Sequence, residues 1–286
     1  MRAGMNIRKI AVIGAGTMGG GIAQVAAQAG FEVIVRDIND ETVLKGMGRV
    51  RDRLENRVRE GKLDATVKES ILALIRPVTR LEDCRDAELV IEAVIEDAET
   101  KRGLFRELDT LCLPETLFAS NTSSIPITEL ARATGRPERF AGMHFMNPAY
   151  VMKLVEVIRG LLTAEETISR IEGVVEQMGK TPVVVNDSPG FVISRVIITM
   201  INDAIYCLEE GVASREGIDT IMKLGAHHPM GPLELADLMG LDVCLEILDI
   251  LRSDLGEKYR ASPLLRKMVA AGRLGRKSGE GFYGYR

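Results

Sequence analysis

The sequence predicts an α/β chain: a doubly wound, mainly parallel sheet with a helical arm, followed by an all-helical C-terminal segment. Three observations predict it. A short apolar run leads at once into a glycine-rich loop and a small-residue helix, with an acid about 20 residues further on. Apolar runs of strand length then alternate with amphipathic segments of helix length as far as residue 187. From residue 188 the strand pattern stops and only helical periodicity remains. The expected domains are therefore 1–187, with the arm over about 40–75, and 188–286.

Lys9–Ile13 (KIAVI) is a continuous apolar run, the pattern of a strand buried on both faces. Gly14-Ala15-Gly16-Thr17-Met18-Gly19 follows, then a helix over 21–29 and a second strand over 31–36 that ends at Asp37. This is a dinucleotide-binding, Rossmann-type unit in its required context. Gly14 permits the tight turn, Gly16 lets the backbone approach a pyrophosphate, and Gly19 lets helix and strand pack closely. Thr17 and Met18 complete the loop at the helix N-terminus, whose free N–H groups and positive dipole end suit phosphate. Asp37 would accept from both ribose hydroxyls and repel a 2′-phosphate, so the expected cofactor is NAD. Arg36 beside it could soften that preference, but reads better as an exposed, solvated arginine.

Residues 40–75 break the alternation and read as two helices, 40–59 and 64–75, joined at Gly61-Lys62. The first carries Arg49, Arg51, Arg53, Arg57 and Arg59. They form either a solvated face laced with i,i+4 pairs such as Glu55–Arg59, or a row of guanidinium groups offered to substrate phosphates. The sheet resumes at 88–94, continues through a helix near 98–111 and a strand at 117–120, and reaches Asn121-Thr122-Ser123-Ser124. Ligands of doubly wound sheets gather beyond the carboxyl ends of the strands, which places Glu96, Lys101, Asn121 and Ser123 near a cofactor. Ser123 or Ser124 could equally cap a helix starting near Ile127.

Gly142–Ile158 holds His144 and Glu156, the acid lying inside the apolar run 154–158. A carboxylate there is costly to bury unless something pairs with it. Asn147-Pro148 marks a turn. If the chain reverses at it, strands carrying His144 and Glu156 lie side by side and the two side chains meet. The alternative is a surface histidine near a solvated acid. A helix over 164–178 and a strand over 181–186 then close the domain.

The net charge is −4, so no global basic field argues for nucleic acid. No apolar run reaches membrane-spanning length, and the N-terminal MRAGMNIRK lacks the apolar core of a signal peptide. Cys84, Cys112, Cys207 and Cys244 are widely separated and show no metal-site spacing, which fits reduced thiols in a cytoplasmic protein. His227 and His228 have no acid at ligand spacing, so no metal is expected.

With these residues in view the chain resembles the L-3-hydroxyacyl-CoA dehydrogenases, and within them the short-chain bacterial 3-hydroxybutyryl-CoA enzymes. The resemblance rests on VIGAGTMGGGIAQ (12–24), ASNTSSIPITELA (119–131), FAGMHFMNPAYVMKLVEVI (140–158), KTPVVVNDSPGFV (180–192), HPMGPLELADLMGLD (228–242) and GRKSGEGFY (275–283). It implies that His144 is the catalytic histidine and Glu156 its paired acid. It implies that Ser123 and Asn147 line the reacting centre near both nicotinamide and substrate. Asp37, Glu96, Lys101 and Lys277 then match cofactor contacts, and the arm grips the nucleotide end of coenzyme A. One position departs: Gly190-Phe191-Val192-Ile193-Ser194-Arg195 has Ser194 where the family usually has an asparagine that touches the acyl oxygens. Serine reaches less far, which bears on rate and chain-length preference more than on reaction type.

The helices expected beyond residue 188 run over 191–210, 215–224, 233–255 and 262–271. The resemblance implies that they form a homodimer interface. The expected activity is NAD-dependent oxidation of a (3S)-3-hydroxyacyl-CoA and its reverse, with His144 as acid and base, since histidines titrate near neutrality. A dehydrogenase of a free hydroxy acid and a non-catalytic NAD-binding protein are the rival readings.

Overall fold

The computed structural model describes residues 7–285, so the N-terminal reading over 1–6 lies outside the described residues. The chain divides after Asp187 into two compact units. Unit 1 contains β1 (Lys9–Ile13), α1 (Thr17–Gln28), β2 (Glu32–Arg36), α2 (Asp40–Arg59), α3 (Ala65–Ala73), β3 (Ile75–Val78), β4 (Leu89–Glu92) and α4 (Ala98–Leu111). It continues with β5 (Leu117–Ser120), α5 (Ile127–Ala131), β6 (Phe140–Phe145), β7 (Leu154–Arg159), α6 (Glu165–Gln177) and β8 (Thr181–Asn186).

The strands form one eight-stranded sheet in the order β3-β2-β1-β4-β5-β6-β7-β8. Each neighbouring pair is parallel except β6 and β7, which are antiparallel. Ile10–Ile13, Leu89–Ile91 and Leu117–Ala119 are buried to within about one per cent, as continuous Ile, Val, Leu and Phe runs covered on both faces should be. The strand order reverses direction between β1 and β4, and the crevice beyond their carboxyl ends is where such sheets take ligands.

Two expectations need correction here. The arm consists of α2 and α3 alone, because Ile75–Val78 (IRPV) is the edge strand β3, paired to β2 and no other strand. Arg76 and Pro77 hide it from pattern reading, yet an edge position tolerates both, since only one side of the ladder must be filled. α1 also begins at Thr17, four residues earlier than expected, directly on the glycine loop.

Unit 2 is helical: α7 (Ile193–Glu209), α8 (Arg215–Gly225), α9 (Pro232–Met239), α10 (Leu241–Leu255) and α11 (Pro263–Ala270). Its core is built from residues such as Ile198, Ile201, Leu233, Leu241, Leu248 and Leu265. The single helix expected over 233–255 is two, broken at Gly240, whose φ of 104° belongs to the region that glycine alone enters freely. Asp219 and Asp237, both buried, accept from the N–H groups of Leu233 and Glu234, and of Phe282 and Tyr283, respectively. No helix among the described residues is long and apolar enough to cross a membrane.

Candidate active site

The three glycines of the loop after β1 sit in three different environments. Gly14 has a φ of 103°, and a Cβ there would lie 2.5 Å from the Ala93 carbonyl oxygen beyond β4. At Gly19 a Cβ would lie 1.8 Å from the Gly14 oxygen, so helix and strand could not approach. Around Gly16 nothing lies within 4 Å of that position, so no protein atom demands glycine there. Gly16 is also the N-cap of α1, with no side chain capping it and no acid in the first turn. An open face beside an uncapped, positive helix end fits a dinucleotide pyrophosphate.

Asp37, at the end of β2, accepts from the Ala15 N–H through Oδ2 (2.7 Å) and from the Ile38 N–H through Oδ1 (2.7 Å). It therefore ties the loop down as well as facing the crevice, and its remaining lone pairs are free to accept ribose hydroxyls. Arg36 is half-buried, not simply solvated, because its Nε donates to the Thr79 carbonyl at 3.1 Å. The arm seats on the same loop. A Cβ at Gly46 would lie 2.3 Å from the Ala15 oxygen, and Arg49 Nη2 donates to that oxygen at 2.8 Å. Arg53 Nε donates to the Gln24 amide oxygen at 2.9 Å, and its guanidinium stacks over Tyr150 at 4.8 Å. Two of the five arginines thus anchor the arm. The Glu55–Arg59 pair is present at 3.7 Å, although Glu55 sits closer to Lys68, at 2.8 Å.

Beyond β4 and β5 the polar residues converge on Glu96. Its Oε1 accepts from the Thr122 hydroxyl, from the N–H groups of Ser123 (3.0 Å) and Ser124 (3.3 Å), and from the Ser124 hydroxyl (3.1 Å). Its Oε2 lies 3.1 Å from Lys101 Nζ. Burial works to raise the Glu96 carboxyl, but Lys101 and the Thr122 hydroxyl outweigh it and hold the group below its ordinary value. Lys101 is 1% exposed, its ammonium set between Glu96 and Glu92. Neither Ser123 nor Ser124 caps α5, which starts at Ile127 with Pro126 as its N-cap; Asp187 instead accepts from the N–H groups of Ile127 and Thr128. Asn121 Oδ1 accepts from the Phe145 N–H at 2.9 Å, tying the end of β5 to the strand that bears His144.

His144 and Glu156 face each other across the β6–β7 ladder as directly opposed residues. Both are buried, and His144 Nδ1 lies 2.8 Å from Glu156 Oε2. An ionised carboxylate only accepts, so the bond places the proton on Nδ1 and leaves Nε2 as the basic nitrogen. The chain reverses after β6 through a cis Asn147–Pro148 peptide, with Asn147 exposed at its start. Lys180, buried just before β8, donates to the Ala149 and Met152 carbonyls at 2.6 Å each and so holds this loop from below. Desolvation, helped by nearby Lys153, pulls the Lys180 ammonium below its ordinary value. A Cβ at Gly21 of α1 would lie 3.1 Å from the Ala149 Cβ, so the loop also rests on the dinucleotide helix.

The glycine loop, Asp37, Glu96, Lys101, Asn121, Ser123, His144, Asn147 and Glu156 all belong to unit 1, His144 and Glu156 on strands, Lys101 in α4 and the rest in loops of the same sheet domain. Ser194 and Lys277 belong to unit 2. Ser194 is buried in the first turn of α7, and Lys277 Nζ lies 2.5 Å from the Asp242 carboxylate. His227 is exposed and His228 is half-buried. Among the described residues no three His, Cys, Asp or Glu side chains form a group that could hold a metal ion. Sequence reading missed Glu92, Lys180 and the anchoring roles of Arg49 and Arg53. Glu92 had a signal, an acid inside the apolar run 89–94, of the same kind that exposed Glu156.

A sheet of this winding, with an open glycine loop and a buried histidine–carboxylate pair, fits a nicotinamide-dependent dehydrogenase. Residues 9–188 match the family model for the 3-hydroxyacyl-CoA dehydrogenase NAD binding domain, and residues 190–285 match that for its C-terminal domain. A probable 3-hydroxybutyryl-CoA dehydrogenase of Bacillus subtilis is 55% identical over 282 residues, covering 98% of each chain. The 3-hydroxybutyryl-CoA dehydrogenase of Bradyrhizobium diazoefficiens is 50% identical over 281 residues, 98% of this chain and 96% of that one. The crystal structure of (S)-3-hydroxybutyryl-CoA dehydrogenase from Ralstonia eutropha superposes with a TM-score of 0.96 at 46% identity, covering 98% and 100% of the two chains. The chain belongs to the 3-hydroxyacyl-CoA dehydrogenase family and is an NAD-dependent enzyme.

Proposed function

We propose that the chain oxidises short-chain (3S)-3-hydroxyacyl-CoA esters such as 3-hydroxybutyryl-CoA to 3-oxoacyl-CoA, and catalyses the reverse. The observation that carries this reading is the 2.8 Å bond between buried His144 and Glu156 on adjacent strands. The glycine loop, Asp37, Glu96 and Lys101 would hold NAD, which supplies the hydride acceptor. His144 Nε2 takes the proton from the C3 hydroxyl as the alcohol is oxidised and returns it in the reverse direction. Glu156 keeps the ring in the tautomer that leaves Nε2 basic and stabilises the imidazolium that forms. Ser123 and Asn147 hold the substrate oxygen so that C3 is oriented for transfer.

With Arg49 and Arg53 turned inward, the exposed Arg51 and half-exposed Arg57 are the arm's candidates for coenzyme A phosphates. We assign residues 1–187 to cofactor binding and 188–286 to dimerisation and substrate binding. Exposed Val212, Ile221, Leu224 and Leu238 give the second unit an apolar surface suited to a homodimer. Four free cysteines, three of them buried, fit a cytoplasmic enzyme.

An NADH-linked assay across 3-hydroxyacyl-CoA chain lengths, run beside free 3-hydroxybutyrate and with NADP replacing NAD, tests the reading. Turnover should fall with chain length and be lost with the free acid. Equal turnover of 3-hydroxybutyrate would replace the thioester substrate by a free hydroxy acid.

A further inference from the structure

We propose that Glu92 is a positioning residue: through Lys101 it fixes Glu96, and with it the Thr122–Ser124 loop that carries Ser123. Glu92 ends β4 and is 0% exposed. Its Oε1 accepts from the Val94 N–H (2.7 Å) and from Lys101 Nζ (2.6 Å), and its Oε2 from the Ser120 hydroxyl (2.5 Å). Ser120 is its directly opposed partner at the end of β5.

Two chains of contacts run from this buried carboxylate to the loop. The shorter passes through the Ser120 Oγ, which accepts from the Thr122 N–H at 3.3 Å. The longer passes through Lys101 to Glu96 Oε2, leaving Glu96 Oε1 turned toward the Thr122 hydroxyl and the Ser123 and Ser124 amides.

Charge order explains why the arrangement needs both acids. An ammonium that is 1% exposed is costly to hold in the interior unless a carboxylate compensates its desolvation. Glu92 does this from the interior, so Glu96 can share the ammonium and still spend its other oxygen on the loop. If Glu92 is neutral, Lys101 has one charged partner and draws Glu96 inward, off the Ser123 amide. As a purely structural element the pair would be a poor choice, because well-packed apolar residues serve a core as well or better. What it supplies is orientation at the loop.

The inference rests on Ser123 and Glu96 belonging to the site. Its test is a double-mutant cycle on the full chain with Glu92→Gln, Glu96→Gln and the pair. It reads the NADH dissociation constant by fluorescence and kcat and KM for NAD and 3-hydroxybutyryl-CoA, well below each thermal midpoint. Glu92→Gln should weaken NADH binding about tenfold and lower kcat/KM at least as much, while adding less than about twofold to Glu96→Gln, since both act along one path. Unchanged NADH affinity in Glu92→Gln, or effects that multiply in the double variant, would overturn it. Should Glu92→Gln fail to fold, Ser120→Ala removes one anchor of the carboxylate. A smaller loss in the same direction is expected, and an unaltered, folded Ser120→Ala protein would refute the relay. The NADH titrations need no turnover, so inactivity of the wild type toward 3-hydroxyacyl-CoA bears on the proposed substrate alone.

Discussion

Replacing Glu156 by glutamine removes a charge and almost no volume from a position that is 2% exposed. A hydrogen bond to a charged partner is worth about 1.5–3 kcal/mol, and as the imidazolium forms this bond becomes charged at both ends. If that stabilisation is lost from the transition state, kcat should fall by about 10–150-fold at ~1.4 kcal/mol per decade. Glutamine adds a second penalty. Its amide can rotate an N–H toward Nδ1, which moves the ring proton to Nε2 and removes the base, so the loss can exceed that range. NADH affinity should stay within about threefold, because the loop after β1 does not depend on this bond. Stopped-flow and steady-state assays with 3-hydroxybutyryl-CoA, together with NADH fluorescence titration, separate the two quantities. A Glu156→Gln enzyme with nearly normal kcat would refute the dyad.

His144→Ala should lower kcat by about 10²–10⁴-fold with cofactor binding retained, read in the same pair of assays. Gly16→Ala should keep the wild-type thermal midpoint yet weaken NADH binding, because a Cβ there meets no protein atom. Gly19→Ala should be strongly destabilised, because its Cβ would lie 1.8 Å from the Gly14 oxygen; calorimetry beside NADH titration distinguishes them. Asp37→Ala should reduce the ratio of kcat/KM for NAD over NADP, and lower both values, since Asp37 Oδ2 also holds the Ala15 amide. Glu96 sits below its ordinary carboxyl value of 4.5, so its contribution to stability is present above pH 4.5 and fades as pH falls through the folded value. The midpoint difference between wild type and Glu96→Gln should therefore shrink on acidification. Burial pushes the Cys84 and Cys244 thiols up to about 12 and Cys112 to about 11, so a thiol reagent should reach the half-buried Cys207 first and these three only on unfolding.

Much of the site was legible because its parts are local in the chain. The turn at Gly14, the helix that follows it and the acid after β2 all lie within one βαβ unit, whose geometry allows few alternatives, although the first turn of that helix was missed. The His144–Glu156 pair was legible for a related reason: two strands joined by a turn place particular residues opposite one another. β3 was not, because an edge strand with Arg76 and Pro77 carries no apolar alternation to read. The break at Gly240 escaped for the opposite reason, since a glycine within two apolar helical runs reads as a tolerated interruption.

The sequence by itself determined the winding of the sheet and the dinucleotide loop, since each follows from backbone geometry over a short span, and it offered the histidine–carboxylate pair as one of two readings that the β6–β7 register then decided. Only the tertiary structure decided what the charged side chains do. Arg49 and Arg53 anchor the arm instead of facing solvent, Lys180 holds the Asn147 loop, and Glu92 pairs with a lysine nine residues further along the chain. A side chain's charge is written in its formula. Whether that charge is solvated, paired or used against a neighbour depends on desolvation and on atoms brought in from distant segments, and only folding supplies those.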